Sequence, residues 1–327
     1  MTNNIWHFST LSDHNYIING LCLYDSLVEK SSQDFMLHYL CMDQYTYDTL
    51  NSLQLSHLKT YTLEDIATDP EFVTLKENNA CRPIDRHAGV EGSDQSDFHF
   101  ALASFFSYFL LNQQNLPHIL YIDSDIIFYH DPKSIFTSVQ NKSIGLIAHR
   151  HMKMDKANRN PGYYNVGVIY FQNNEVGKNC LKFWRDCCIY PNNQYSQIFG
   201  ACGDQKYLEL FEDFFASDQI HIMDFDIGHG APWNFTMFEF LDNHRIVWHD
   251  PEGNVLLCGE KRTQDLIFSH FSHFVPDYDN MKFRFDRAGE WGPQLPHHPG
   301  VMDIYIKYFQ ALLHTRKKYS LTKGFSL

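Results

Sequence analysis

The chain has 327 residues, enough to enclose a substantial core in one large domain or two small ones. Apolar residues make up 44% and charged residues 20%, an ordinary globular balance, while the aromatic share of 16% fits either a Phe-rich core or a surface that handles carbohydrate. The net charge of −13 excludes a general nucleic-acid binder, which needs clustered Lys and Arg, and it means that any pyrophosphate ligand must be met by local positive charge, most economically a divalent cation.

In chain order, Ile5 to Phe8 reads as a short strand, and the apolar spacing from Tyr16 to Val28 predicts a helix ending near Lys30. Phe35 to Leu40 is a second strand, closed by Asp43, so a right-handed parallel α/β unit begins here. Tyr47 to Leu55 predicts a short helix, and the polar stretch Asn78 to Asp97, with Gly89 and Gly92, a loop. Phe98 to Leu111 then predicts a buried helix and Ile119 to Phe128 one buried strand. Further strands are expected at Gly145 to Ala148, Asn165 to Phe171, Ile220 to Met223, Ile246 to Trp248 and Ile267 to Phe271. A helix from Met302 to Leu313 and a basic tail close the chain. With no repeat, low-complexity run or linker, the expected organisation is one α/β domain over 1–300 followed by a helix and tail over 301–327.

The eight cysteines form no C-x-x-C pair or regular framework, which predicts a reducing compartment. Met1 to Gly20 shows no basic segment followed by an apolar one, and no run approaches the ~18 apolar residues of a membrane span, so a cytoplasmic protein is expected. The aromatic side and basic end of the C-terminal helix, through His314 to Tyr319, would suit peripheral contact with an anionic membrane or, more conventionally, packing on its own domain.

Asp123-Ser124-Asp125 lies between two apolar runs, Leu120 to Ile122 and Ile126 to Phe128. Burying two like charges unpaired costs several kcal/mol, so a cation should meet them. If the strand continues, alternation lets both carboxylates point the same way, as hard oxygen ligands for Mg²⁺ or Mn²⁺; the other reading is a polar turn at a strand end. His270 is the first candidate for a third ligand and His273 its rival. Asn165 opens a buried strand that contains Gly167, a residue type that marks close approach of a ligand or backbone, and could bond a sugar hydroxyl or phosphate. Asp204 and Gln205 either open a helix, with Asp204 as its cap, or offer acceptor atoms to sugar hydroxyls. Trp233, after Ala231-Pro232, is either a core residue in a turn or a platform for a sugar face.

As a set these segments resemble nucleotide-diphosphosugar glycosyltransferases, near the family 8 group of glycogenins and lipopolysaccharide galactosyl- or glucosyltransferases. The likeness runs from Phe8-Ser9-Thr10 with Asn15-Tyr16, through Tyr24-Asp25-Ser26-Leu27, Leu40-Cys41-Met42-Asp43, Tyr164-Asn165-Val166-Gly167, Gly203-Asp204-Gln205-Lys206 and Ala231-Pro232-Trp233-Asn234, to Ser269-His270-Phe271. It implies a GT-A fold, a Rossmann-like α/β domain with a mixed, mainly parallel central sheet. It also implies metal ligation by Asp123, Asp125 and His270, a sugar contact from Asn165, and Asp204 and Gln205 beside the anomeric carbon. Thr10 and Tyr16 would lie around the nucleotide base, Arg82 or Arg86 would reach the diphosphate, and Ser124 and Trp233 would join the donor site. The family's Gly and Lys after the metal-binding His are replaced by Ser272-His273-Phe274-Val275-Pro276, with Lys282 and Arg284 as loose substitutes.

The expected activity is therefore Mn²⁺- or Mg²⁺-dependent transfer of a hexose or N-acetylhexosamine from a UDP-linked sugar to a glycan, lipid-linked or protein acceptor, retaining the anomeric configuration if the kinship holds. Two alternatives stand beside it. One is a nucleotide-sugar-binding protein without turnover; the other is a sugar nucleotidyltransferase, whose Gly-rich basic loop is not matched by Ser9 to His14.

Overall fold

The computed structural model describes residues 5–80, 96–150, 162–190, 193–195, 204–223, 227–250, 252–258, 260–285 and 294–321. β1 (Trp6–Ser12), α1 (Ile17–Lys30) and β2 (Phe35–Cys41) form the expected opening unit, with β1 and β2 parallel from Trp6 opposite Phe35 to Ser12 opposite Cys41. Asp43, beyond β2, starts α2 (Gln44–Ser52): its carboxylate accepts from the Thr46 amide, the usual way to satisfy a first-turn donor.

β3 (Leu58–Tyr61), α3 (Leu63–Ile66) and α4 (Glu71–Ala80) follow, none of them anticipated as separate elements. Asn78 to Ala80 therefore finish a helix rather than begin a loop, and Ser96 and Asp97 already belong to α5 (Ser96–Tyr108), which continues through a π-helical turn at Phe109–Gln113. Residues 81–95, with Arg82 and Arg86, lie outside the described residues.

β4 (His118–Ile122) and β5 (Ile126–Phe128) are separate strands, correcting the single strand expected over 119–128. The Ile126 amide donates to the Asp123 carbonyl at 3.2 Å, so Asp-Ser-Asp is a tight turn that carries the chain out of the main sheet. After α6 (Lys133–Ser138) come β6 (Ile144–Ala148), β7 (Tyr164–Gln172), α7 (Glu175–Ile189), a 3₁₀ turn at Gln205–Leu210, α8 (Phe211–Phe214) and β8 (Ile220–Met223). The seven-stranded sheet has the order β3-β2-β1-β4-β7-β6-β8, in which β7 alone runs antiparallel to its neighbours. That is the mixed, mainly parallel α/β sheet that the family resemblance implies.

Both sheet faces are covered, which is why the strands read as near-continuous apolar runs. Trp6, Phe8, Leu120, Ile122, Val168 and Tyr170 pack beneath α1 on one side; Ile119, Tyr121, Ile169 and Phe171 meet Phe105, Phe106, Leu181 and Trp184 on the other.

The later chain builds a second layer from β9 (His229–Gly230), β10 (Phe238–Leu241), β11 (Arg245–His249), β12 (Val255–Leu256), β13 (Gln264–Asp265) and β14 (Phe268–His270), then a hairpin of β15 (Val275–Asp277) and β16 (Lys282–Arg284). β14 lies between β5, antiparallel, and β9, parallel. The closing helix α9 runs from Val301 to Lys318, past the expected end at Leu313, so the basic run is its last turn, where cations suit the helix dipole. Its aromatic side faces inward: Tyr305, Tyr308 and Phe309 are buried, and Tyr308 stacks on Phe271 with ring centroids 3.8 Å apart. The aromatic side thus packs on the chain's own domain, the second of the two expected readings; Lys307, His314 and Lys317 are on the exposed face. No helix among the described residues is long and apolar enough to cross a membrane.

Candidate active site

The turn after β4 and the register of β14 together make the central cluster. β14 pairs with β5 so that His270 stands opposite Ile126, and the Phe271 amide donates to the Asp125 carbonyl at 3.0 Å. His270 is thereby pinned beside the turn although nearly 150 residues of sequence separate them. Its Nε2 lies 3.1 Å from Asp125 Oδ1 and 3.5 Å from Asp123 Oδ2, and the ligand atoms of all three residues fall within 4.8 Å of one another. The two carboxylates share one side because the chain turns between them, not because a strand alternates.

The electrostatics follow from this crowding. Burial pushes the Asp123 carboxyl above the ordinary carboxylate range; Asp125 adds to the rise, and His270 and a 2.8 Å hydrogen bond from the Tyr121 hydroxyl oppose it. Burial alone would lower His270, but the carboxylates of Asp125 and Asp123 outweigh it and hold the imidazole above its usual value. Among the described side chains His270 is the basic group in contact with both carboxylates. His273, its rival, is not in the cluster; it sits in the following turn with φ 62°.

A second arm reaches the same place from β7. Pairing between β6 and β7 shifts at Leu146/Ile147, so Ile147 faces Asn165 and the intervening residues of β7 are extra. Such a bulge re-aims side chains at a sheet end. Here the Asp123 amide donates to the Gly167 carbonyl at 3.0 Å, and Asn165 Oδ1 accepts from the Gly167 amide at 2.8 Å. Asn165 Nδ2 donates to Gln205 Oε1 at 3.1 Å, and that same oxygen accepts from the Val166 amide at 3.1 Å. Asp204 starts the 3₁₀ turn but caps nothing with its side chain; its carbonyl accepts from Trp184 Nε1 at 2.9 Å, and its charge helps raise the Tyr121 phenol, whose first cause is burial. The capping explanation of Asp204 is therefore not the one realised.

Trp233 occupies the expected turn, where Ala231 and Asn234 bond each other through the Asn234 amide and side chain. Its indole is nearly perpendicular to the rings of His270, at 5.4 Å, and His149, at 5.0 Å. His149 has no motif to announce it: its Nε2 is 3.2 Å from Asn165 Nδ2, and its only sequence signal is a polar residue directly after a buried strand.

Ser124 is buried at the turn corner, Thr10 is enclosed within β1 with no exposed surface, and Tyr16 is half-buried at the start of α1. Lys282 and Arg284 lie on the exposed β16. A second acidic group, Asp13, His14 and Asp43, has its oxygens already occupied: Asp43 holds His14 and caps α2, and Asp13 holds Asn15.

Comparison with known proteins sharpens this picture. The model of the family described as Glycosyl transferase family 8 matches residues 7–212. The uncharacterized protein YfnF of Bacillus subtilis (strain 168) is 27% identical over 276 residues, covering 82% of this chain and 81% of its own length. YfnD of the same organism is 25% identical over 274 residues, covering 83% and 78%. Among solved structures, the galactosyltransferase LgtC, in complex with donor and acceptor sugar analogs, superposes with a TM-score of 0.53 at 15% identity, covering 97% of this chain and 96% of LgtC. Mouse xyloside xylosyltransferase 1 gives 0.50 at 12% identity, covering 85% and 99%. At these identities the structural likeness is one of fold.

Proposed function

Because the chain belongs to glycosyl transferase family 8 and is a glycosyltransferase, we propose that it moves a hexose or N-acetylhexosamine from a UDP-linked sugar to a hydroxyl of a glycan, lipid-linked or protein acceptor, with retention at the anomeric carbon. The observation that carries the proposal is the convergence of Asp123, Asp125 and His270, with ligand atoms within 4.8 Å of one another. Two carboxylates and an imidazole nitrogen, brought together where the chain leaves β4, are a donor set that fits Mn²⁺ or Mg²⁺. When bound, the ion would supply positive charge against the donor diphosphate.

The chain's own residues do the rest by position. Tyr121 holds Asp123, and β14 holds His270 opposite Ile126. Asn165, Asp204 and Gln205 face the transferred sugar. Gln205 Oε1 already accepts two hydrogen bonds, so we assign Gln205 to orienting the sugar rather than to nucleophilic attack. Trp233 walls the cluster behind His270. Tyr16, Ser124 and the β1 end containing Thr10 would meet the nucleotide, and Arg82 or Arg86 the diphosphate. The described cysteines Cys22, Cys41, Cys180, Cys187, Cys188 and Cys258 are free thiols, which supports action in a reducing, cytoplasmic compartment.

The test is release of UDP from UDP-glucose, UDP-galactose and UDP-N-acetylglucosamine with Mn²⁺, comparing the native enzyme with Asp123→Asn. Turnover by the native chain and its loss in the variant support the reading. Mn²⁺-dependent thermal stabilisation with no UDP released from any donor would instead identify a binder without turnover.

A further inference from the structure

His149 follows β6 at the edge of the cluster and is almost fully enclosed, with 2% of its surface exposed. Its backbone is pinned on both sides: its amide donates to the Tyr163 carbonyl at 2.9 Å, and its carbonyl accepts from Asn234 Nδ2 at 3.1 Å. The ring is held edge to face by Trp233, with Nδ1 3.3 Å from the Tyr163 carbonyl and Nε2 3.2 Å from Asn165 Nδ2.

The direction of these bonds is fixed by counting donors. Asn165 Oδ1 accepts from the Gly167 amide, so the other amide atom is the nitrogen, and its two hydrogens point at Gln205 Oε1 and at His149 Nε2. His149 Nε2 must then carry a lone pair, which places the ring proton on Nδ1, directed at the Tyr163 carbonyl. The ring, the Asn165 amide and the Gln205 amide form one chain of hydrogen bonds with a single consistent direction.

We propose that His149 is a positioning residue for sugar transfer: by accepting from Asn165 it fixes the amide that in turn holds Gln205 at the reacting sugar. This rests on the assignment of Asn165 and Gln205 to the sugar site made above. Without the His149 acceptor, one Asn165 amide hydrogen is left unpaired in a buried site, and only the bonds to the Gly167 amide and Gln205 still hold the side chain. Misplacement by about 1 Å at a reacting centre costs ~10²-fold in rate.

Two measurements on the full chain test this. In ¹⁵N-detected spectra of the imidazole rings, with His149 identified as the signal missing from His149→Gln, the native protein should show the Nδ1–H tautomer; an Nε2–H tautomer overturns the proposal whatever the activity. In UDP release from UDP-glucose or UDP-galactose with Mn²⁺, His149→Leu, which keeps bulk but cannot accept, should lower kcat by ~10²-fold with little change in donor KM. His149→Gln, whose side-chain oxygen reaches the Nε2 position, should stay within a few-fold of native. Equal loss in the two variants, or no loss in His149→Leu, overturns the role. Full activity in Asn165→Ala would defeat the sugar-site assignment itself, a distinct outcome that leaves the tautomer result standing.

Discussion

The imidazole of His270 lies against Gly167: a Cβ added there would stand 2.7 Å from His270 Nδ1 and 2.5 Å from Asn165 Oδ1. The close approach that a glycine in a strand signals is therefore made by the cluster's own residues, and Gly167 sets the spacing between the acidic turn and the amide chain.

Gly167→Ala is accordingly expected to push His270 away from Asp125. Overpacking of this kind costs about 1–3 kcal/mol. A lowered melting temperature together with loss of stabilisation by Mn²⁺ is the expected result, read by thermal unfolding with and without the ion. A variant that melts and responds like the native protein would show that the ring does not need this space.

Acid should weaken the fold through His7, His38 and His118, on β1, β2 and β4. Burial depresses all three, His38 to about 3 and His118 to about 4. His7 Nδ1 contacts His38 Nε2 at 3.1 Å, and His38 Nδ1 contacts the Tyr61 hydroxyl at 3.0 Å. Since the folded values lie below the unfolded one, near 6.5, the unfolded chain takes up protons that the folded chain refuses. The stabilisation is complete above about pH 6.5 and is lost as pH falls towards 4, at about 1.4 kcal/mol per pH unit for each proton. Urea unfolding at pH 7, 6 and 5 should show this slope, and His38→Gln should flatten it; a slope unchanged by the substitution would move the effect elsewhere.

Tyr308 couples α9 to the site layer. It stacks on Phe271, next to His270, and its hydroxyl accepts from Asn19 Nδ2 at 2.9 Å. Tyr308→Phe removes only the hydrogen bond and should cost about 1 kcal/mol. Tyr308→Ala also leaves a cavity and should cost about 3–5 kcal/mol. Denaturant titration separates the two, and near-equal losses would mean that the stacking contributes little.

Much of this was legible from the chain. The run Phe35 to Leu40 is legible as a strand, and the chemistry of buried charge marks Asp123 and Asp125 as a cation site, but His270 stands level with His273 until the pairing of β14 with β5 singles it out. The turn between β4 and β5 was harder, because Ile126 to Phe128 is as apolar as Leu120 to Ile122 and only pairing with β14 reveals that it belongs to another sheet. Helix α7 is absent from the elements expected above although its spacing carries a signal, in Val176, Cys180, Leu181, Trp184, Cys187 and Cys188, with Asn174 capping it through the Gly177 amide. His149 was not readable at all: its partners Asn165, Tyr163 and Asn234 meet it through the β6–β7 bulge and the Ala231 turn, features of tertiary register that no local spacing encodes.

The central claim is that the acidic turn and His270 hold a divalent ion without which sugar is not transferred. It is tested most directly by UDP release from a UDP-sugar that the enzyme accepts, measured with Mn²⁺, after removal of the ion by EDTA, and after Mn²⁺ is restored. The account predicts turnover in the first and third conditions and a fall of ~10²-fold or more in the second, with Asp125→Asn inactive in all three. Undiminished turnover in EDTA, or an Asp125→Asn enzyme as active as the native one, would contradict it.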